Sequence, residues 1–475
     1  MSGRAHPVMI FYNLRRVMFL LIIPALHSLL AVPHGGFRLW LRGAWLDALT
    51  LAVMLLCSVI MWRRCTYSCG ESEITVCRGA IFSHCTTISR DKITAISHHT
   101  PFWLRGRDIA FLRADTFGGS FRHSDIQLWL KKTTADEIIS FFEGATNDEA
   151  TPPLTYTAGA LSVMALALFS SSALTGLAFT SALLSQGAGL LGREFSDMLV
   201  HGFEEGTRYF ALGVPPAVAG LAYLMLLGWL VGAAQGFLRY WRLGIIRRGN
   251  ILQIKSLGPR PRHYTINAAQ ISFVDIRRTL WMQLAGMRAL YISVAGYGKH
   301  KDDISCVIPT LRRGDFTSEY KRFFAEMPSA ESEVKPPAFA FMPYITPPIC
   351  AVLLLLTAVF AAKIFATRFE GVITLVLLML LVPAAVMLAV KLISYHTAGI
   401  GRCGDCITLS YSRGFVLHTV VIPKRRLVKL EVTQNIFQRR SGQCHVILFT
   451  AAEGQQKHKC LSLPLGEVKA LLEID

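Results

Sequence analysis

Six apolar runs, which occur as three close pairs, constrain the fold of this chain more than any other feature. A helix of about 20 apolar residues can cross the hydrocarbon core of a bilayer, and somewhat fewer can suffice. The last four runs reach this length, whereas the first two are shorter. The pattern therefore predicts six transmembrane helices in three hairpins. The paired runs are 17–32 with 46–62, 156–185 with 210–237, and 345–366 with 372–392.

Charge and composition favour a membrane protein as well. The chain of 475 residues is 52% hydrophobic, and its formal net charge is +18. Basic residues flank the outer ends of the runs, as at Arg63 and Arg64, whereas the tip at 192–208 is rich in acidic residues. The positive-inside rule then predicts a cytoplasmic (inner) membrane location with both termini in the cytoplasm. No nucleic-acid partner is predicted, because the basic stretches lack the interleaved aromatics that stack on bases.

Three polar segments follow the three hairpins and repeat one pattern. Each begins with short alternating strands around a glycine turn and ends with a short amphipathic helix, which is typical of a small curved sheet or half-open barrel. The predicted divisions are hairpin 1–62, first polar segment 63–145, linker and hairpin 146–237, second polar segment 238–327, linker and hairpin 328–392, and third polar segment 393–475.

Apolar positions recur at the same spacing in the three segments. They are Ile88, Ile93 and Ile96; Ile266, Ile271 and Val274; and Ile422, Leu427 and Leu430. An aromatic residue and a glycine follow in each connector, as Trp103 with Gly106, Trp281 with Gly286, and Phe437 with Gly442. The repeats predict one shared strand and one shared corner.

In this order of elements, and in the stretches "HPVMIFYNLRRVMFLLIIPAL" and 266–296, the chain resembles bacterial pleckstrin-homology-like (PH) domains fused to membrane hairpins. It is similar to multi-pass members with repeated hairpin-plus-domain units. The resemblance implies a membrane α + β fold, with six transmembrane helices in three hairpins. Each hairpin is then followed by a small PH-like β-barrel capped by a C-terminal helix. The resemblance also implies no enzymatic activity, and a smaller family member as a partner.

The residues with chemical potential do not form a recognisable catalytic or metal site. His98 and His99 are neighbours in a strand, so they point to opposite faces and do not readily bind one ion. Cys403 and Cys406 form a CxxC motif, but they fall on a hairpin turn without a second pair in the usual spacing. Eleven scattered cysteines indicate a reducing compartment rather than a disulfide framework. The sequence predicts no enzyme, cofactor or metal.

The basic connectors are the candidate binding surface. Each Lys or Arg close to an anionic leaflet contributes about 1 kcal/mol of attraction. The alternative is that these residues are solvated loop charges and topology signals. The candidate lipid- or partner-facing residues are Arg105, Arg107, Arg277, Arg278, Arg288, Arg425, Arg426, Arg439 and Arg440.

The predicted function is therefore binding rather than catalysis. The chain is expected to be an integral membrane protein that presents three cytosolic PH-like domains to proteins or to the lipid surface, as a scaffold or adaptor at the inner leaflet. Its expected partners are the bilayer, other membrane proteins and anionic lipid. The alternative is a transporter or channel component built from the six spans. The runs contain Lys363 and His27, and their one carboxylate, Asp47, stands at the edge of the run 46–62, which disfavours that alternative.

Overall fold

The fold is taken from a computed structural model. It describes residues 1–15, 17–22, 36–70, 72–79, 82–101, 104, 106–119, 123–144, 152–170, 216–299, 303–365, 370–452 and 454–473.

Short strands occupy most of the three polar segments. They are rich in Ile, Val, Thr and aromatic residues, which fit a pleated surface that is buried on one or both faces. The strands are β1 Ser2–Arg4, β2 Thr66–Cys69, β3 Glu73–Arg78, β4 His84–Ser89, β5 Ile93–His99, β6 Ile109–Thr116, β7 Ile126–Lys131, β8 Leu154–Thr157, β9 Gly244–Arg248, β10 Ile251–Ser256, β11 Arg262–Asn267, β12 Phe273–Thr279, β13 Met287–Ser293, β14 Cys306–Arg312, β15 Gly399–Cys403, β16 Cys406–Arg413, β17 Val416–Pro423, β18 Leu427–Thr433, β19 Gln443–Ala452 and β20 Gly454–Pro464.

The long apolar helices lie outside the polar segments, whereas most of the short helices lie within them. They are α1 Met9–Leu14, α2 Gly36–Arg63, α3 Lys132–Gly144, α4 Ala160–Ser170, α5 Pro216–Arg239, α6 Leu280–Leu284, α7 Arg313–Phe323, α8 Met342–Phe365, α9 Glu370–Thr397, α10 Ile436–Arg440 and α11 Leu465–Leu472. The predicted closing helices are confirmed as α3, α7 and α11. Each buries an apolar face, as Phe316, Tyr320 and Phe323 do in α7.

The strands form four antiparallel sheets, and the two largest contain strands from two polar segments. Their orders are β1-β2-β3-β4, β7-β6-β5-β11-β10-β9-β8, β14-β13-β12-β17-β16-β15, and β18-β19-β20. A 3₁₀ turn at Arg90–Lys92, Ala268–Gln270 or Lys424–Arg426 separates two strands that belong to different sheets. These turns redirect the chain, so that the second half of one segment joins the first half of the next.

Two strand pairs connect the segments. In the first junction, β5 pairs with β11, and Ile96 lies opposite Thr265. In the second junction, β12 pairs with β17, and Val274 lies opposite Val421. A hydroxyl crosses each junction: Thr94 donates to the carbonyl of Ala295 at 2.9 Å, and Ser272 donates to that of Ala451 at 2.7 Å.

The hydrophobic cores also cross the segments. Three clusters of buried side chains centre on the first, second and third polar segments. Ala95 of the first segment packs in the second cluster, and Phe273 of the second segment packs in the third. The segments are therefore held together by shared sheets and by shared cores.

The prediction of six spans in three hairpins is wrong. Two stretches of the described residues combine the length and hydropathy of a span, namely Met342–Ala361 and Leu380–Thr397. Two more apolar stretches, Ala160–Ser170 and Leu224–Arg239, are shorter than the roughly 20 residues that a span needs. Much of the predicted runs 17–32 and 156–185, with His27, and the start of run 210–237, lies outside the described residues.

The prediction of a separate barrel after each hairpin is wrong as well. The observed α+β architecture has continuous sheets of seven and six strands; each joins strands of two polar segments, and the larger one adds β8 from the linker. The physical reason is that the strand after each of the first two 3₁₀ turns, β5 or β12, pairs with an edge strand of the next segment. The divisions predicted from the sequence remain predictions, since sheet pairing runs across them.

The repeated sequence pattern predicts the corner glycines but not the disulfide. Cys77 and Cys85 form a disulfide across β3 and β4, which the scattered cysteine pattern did not predict. Gly286 and Gly442 follow α6 and α10 with φ of 66° and 65°, a left-handed conformation that favours glycine. The repeated corner glycine therefore has a backbone cause in the second and third segments.

Candidate functional site: an arginine cluster beside a short apolar helix

Two of the arginines singled out from the sequence come together at one corner of the second polar segment. Arg278 lies next to the end of β12 and Arg288 next to the start of β13. Because Arg277 pairs with Ala289 in antiparallel register, the next step of the ladder sets Arg278 opposite Arg288. Like charges at directly opposite positions of a sheet repel and destabilise the pair.

A third arginine, which the sequence reasoning missed, joins them. Arg313 is the first residue of α7, and its backbone N–H donates to the carbonyl of Gly286 at 3.1 Å. This bond ties the start of α7 to the turn before β13. A positive side chain at a helix N-terminus faces the positive end of the helix dipole, which adds to the repulsion. We call Arg278, Arg288 and Arg313 the arginine cluster.

The arginine cluster keeps its positive charge within the part of the chain that the structure describes. Burial, followed by the charges of Arg288 and Arg313, lowers the pKa of Arg278 to about 10. Burial and then the charge of Arg313 lower the pKa of Arg288. Arg278 donates to two neutral oxygens, Oε1 of Gln283 at 3.1 Å and Oγ1 of Thr419 at 3.2 Å. Among the described residues, no carboxylate forms an ion pair with any member of the cluster.

An exposed apolar helix lies beside the cluster. Thr279 caps α6 by accepting a hydrogen bond from the backbone N–H of Met282, which is buried. Trp281 and Leu284 point outward, with 58% and 69% of their surface exposed. Together they give α6 an exposed apolar face.

This helix also touches the long apolar helices. A cavity of ≈490 Å³ is shared by α6 with side chains of α4, α5 and α9. Its lining includes Trp281, Phe169, Trp229 and Val386. Since Val386 belongs to the candidate span of α9, Trp281 lies beside that helix.

The corresponding corner of the third segment has the apolar side chains without the cluster. Ile436 and Phe437 of α10 are 76% and 81% exposed. Arg439 and Arg440 occupy its last turn and are exposed. The repeat alignment places Gln434 and Cys444 where the second segment has Arg278 and Arg288. The cluster therefore does not recur in the third segment.

The other arginines predicted from the sequence lie elsewhere. Arg277 binds Asp275 at 2.6 Å and covers the ring of Tyr291, so it serves the second junction. Arg426 donates to Ala269 and Gln270 and packs over Phe117. Three further positions are exposed or undescribed: Arg107 and Arg425 are exposed, and Arg105 lies outside the described residues.

The adjacent histidines have a structural position that the sequence reasoning did not anticipate. The ring of His98 stacks on that of His263, 4.6 Å away across the first junction. His99 instead meets the ring of Phe111. Cys403 and Cys406 face each other at the turn between β15 and β16, as the turn interpretation predicted. Across the described part of the chain, no three His, Cys, Asp or Glu side chains are grouped so that they could hold a metal.

Comparison with known proteins identifies two stretches of the chain. A family model described as bacterial PH domain matches residues 19–144 and 344–474, which together make up more than half of the chain. No curated protein and no solved structure matches. The second polar segment lies outside both matches, and its likeness to the other two rests on the order and register of its strands.

Proposed function

Because the chain belongs to the bacterial PH domain family, we propose that it is a non-enzymatic interaction protein. We further propose that its second segment, which lies outside the two family matches, binds the anionic surface of a membrane. The observation that carries this proposal is the arginine cluster, which concentrates three positive charges without a carboxylate partner among the described residues. Phosphate groups of lipids supply the missing charge, since guanidinium groups bind phosphate through paired hydrogen bonds.

The apolar neighbour of the cluster supports a lipid surface over a soluble anion. Trp281 and Leu284 project from α6 beside the arginines. Tryptophan is enriched at the membrane–water interface, where its ring lies at headgroup level. An arginine cluster next to an exposed tryptophan thus presents both groups that an interface binds.

Helices α8 and α9 would anchor the protein in the cytoplasmic (inner) membrane. Their candidate spans, Met342–Ala361 and Leu380–Thr397, are only 11% and 17% buried within the protein. Strand β12 precedes this helix pair and β17 follows it, yet the two strands pair. Both sides of the hairpin therefore remain on one face of the bilayer, which sets the arginine cluster against that face. The positive-inside rule makes this face the cytoplasmic one.

The alternative of a transporter has no comparable support. The two candidate spans contain no carboxylate, and polar pairs within spans mark transport pathways. The side chain of Lys363 lies outside those that the structure describes.

Native mass spectrometry of the full chain with retained lipids tests the proposed function. The variant Arg278→Gln/Arg288→Gln should lose about 2 kcal/mol of affinity for phosphatidylglycerol, roughly a 30-fold weakening. Affinity for phosphatidylcholine should change little. The matched control is Arg439→Gln/Arg440→Gln, which removes two exposed arginines from the corresponding corner of the third segment. Equal loss in both double variants would refute a specific role for the cluster.

A further inference from the structure

The outer edges of β4 and β18 have no strand partner in the described chain. The strands at the equivalent positions of the other segments pair with each other. β4 ends its four-stranded sheet and β18 ends its three-stranded sheet. In the repeat, β4 corresponds to β11 and β17, whereas β18 corresponds to β5 and β12. Since β5 pairs with β11 and β12 with β17, the edges of β18 and β4 are the remaining members of the same kind of pair.

Burial shows what these two edges leave uncovered. The first five residues of β5 and the first four of β12 are buried. No residue of β18 is buried, and Val428 is 63% exposed. Likewise, β4 buries only Ile88, whereas β11 buries four residues. An edge strand with unpaired backbone groups and exposed apolar side chains is a template for pairing with another strand.

The edges of β18 and β4 carry an acidic residue and a histidine at the positions that form an Asp–His pair across the second junction. There, Nδ1 of His418 lies 3.0 Å from Oδ2 of Asp275. The repeat alignment places Glu431 at the position of Asp275, and His84 at the position of His418. Pairing of β18 with β4 would again bring an acidic residue next to a histidine across the two strands.

Two differences make this contact weaker than the internal junctions. Val428 occupies the position of the hydroxyls Thr94 and Ser272, which bond across the internal junctions. Lys429 occupies the position of Phe273, which packs in the third core. A charged side chain on an edge strand opposes permanent pairing. Pairing through β18 is therefore reversible, whereas the internal junctions are permanent parts of the fold.

Within one chain the two edges are not hydrogen-bonded to each other. A cavity of ≈870 Å³ lies along β4 and is also lined by Gln270 and by Arg426, the residue before β18. We propose that a second copy of this chain occupies these edges, with β4 of each copy pairing with β18 of the other. Such a two-fold exchange satisfies all four edges at once, and closed two-fold dimers are the commonest oligomers.

The mass of the full-length protein, measured by light scattering in detergent over a range of concentrations, tests the dimer. Glu431→Lys should weaken it at least about tenfold by setting a lysine beside His84. Adding His84→Glu to that variant should restore it, and Lys429→Phe should strengthen it. Glu467→Lys, an exposed residue of α11, is the control and should have no effect. A monomer at all concentrations, in the wild type and in Lys429→Phe, would overturn the proposal.

A disulfide test identifies which chain supplies the strand. By the register of the internal junctions, Leu430 of one copy lies opposite Thr87 of the other. Chains with Leu430→Cys are mixed with chains that carry Thr87→Cys, both with Cys77 and Cys85 replaced by serine. A disulfide between different chains is the expected result. A second sample carries both Leu430→Cys and Thr87→Cys in the same chain. If the disulfide forms only in this sample, and within one chain, β4 and β18 close within the monomer and the proposed dimer is wrong.

Discussion

Replacement of Asp275 by asparagine should weaken the second junction by about 3 kcal/mol. Asp275 is 4% exposed, and its carboxylate lies 3.0 Å from Nδ1 of His418 and 2.6 Å from Nε of Arg277. Removing one partner of a buried ion pair typically costs about 3–5 kcal/mol. The lower value applies because the side chain of Arg277 is 41% exposed and regains hydration when the carboxylate is lost.

Hydrogen exchange measured by mass spectrometry reports this loss locally. In peptides that cover β12 and β17, a loss of about 3 kcal/mol corresponds to exchange roughly 100-fold faster. Asp405→Asn, at the exposed turn between β15 and β16 of the same sheet, is the matched control. Unchanged exchange in β12 and β17, or an equal effect of the control, would refute the assigned role of Asp275.

The same pair sets a pH dependence whose sign is fixed. Burial raises the pKa of Asp275, but the hydrogen bond from His418 and the charge of Arg277 outweigh burial and lower it overall. The lowered pKa contributes stability above the unfolded value of about 4, and this stability is lost as the pH falls through the folded-state pKa. The difference between wild type and Asp275→Asn should therefore shrink below about pH 4. A difference that does not vary with pH would contradict a charged Asp275.

Three further outcomes follow, two from the first junction and one from a glycine of β15. Burial, followed by the charges of Lys132 and Lys255, lowers the pKa of His98 to about 4. Because the unfolded chain takes up a proton at His98 near pH 6.5 and the folded chain does not, thermal stability should fall as the pH drops from about 6.5 to 4. The variant His98→Leu should show a smaller fall over this range. Thr94→Val should cost about 1–3 kcal/mol and speed exchange in β11, whereas Thr94→Ser should retain most of the protection. Gly401→Ala should lower the free energy of unfolding by about 1–3 kcal/mol, because the added Cβ would collide with the carbonyl of Glu331. A lower thermal midpoint would report this loss. Gly466→Ala, in open space, is its control, and an equal effect would argue against the collision.

The periodicity of the sequence identifies buried positions better than it identifies their partners. Of the nine repeated core positions, seven are buried, as Ile93 and Ile271 are. Leu427 and Leu430 are only partly buried, because the strand that covers their equivalents is absent from the edge of β18. Alternation along one strand reports which face is covered. It carries no information on which distant edge supplies the covering strand, and continuous sheets across segments were therefore not predictable.

The candidate site shows the same limit. Arg278 and Arg288 stood out as basic residues in a connector, and the structure places them together. Arg313 did not, because it opens a helix 25 residues beyond Arg288 and reaches the site only through the turn at Gly286. Arg277 stands in the same basic stretch as Arg278, yet its guanidinium group forms an ion pair with Asp275. Side chains that alternate along a strand meet different neighbours, and only the fold distinguishes them.

Quenching of tryptophan emission by brominated lipid tests the central claim most directly. The full-length protein is placed in nanodiscs that contain brominated phosphatidylglycerol or brominated phosphatidylcholine, and Trp281→Phe gives the share of Trp281 by difference. The proposed docking of the arginine cluster predicts strong quenching of Trp281 by the anionic lipid, which Arg278→Gln/Arg288→Gln reduces. Emission from Trp281 that neither lipid quenches would contradict the account.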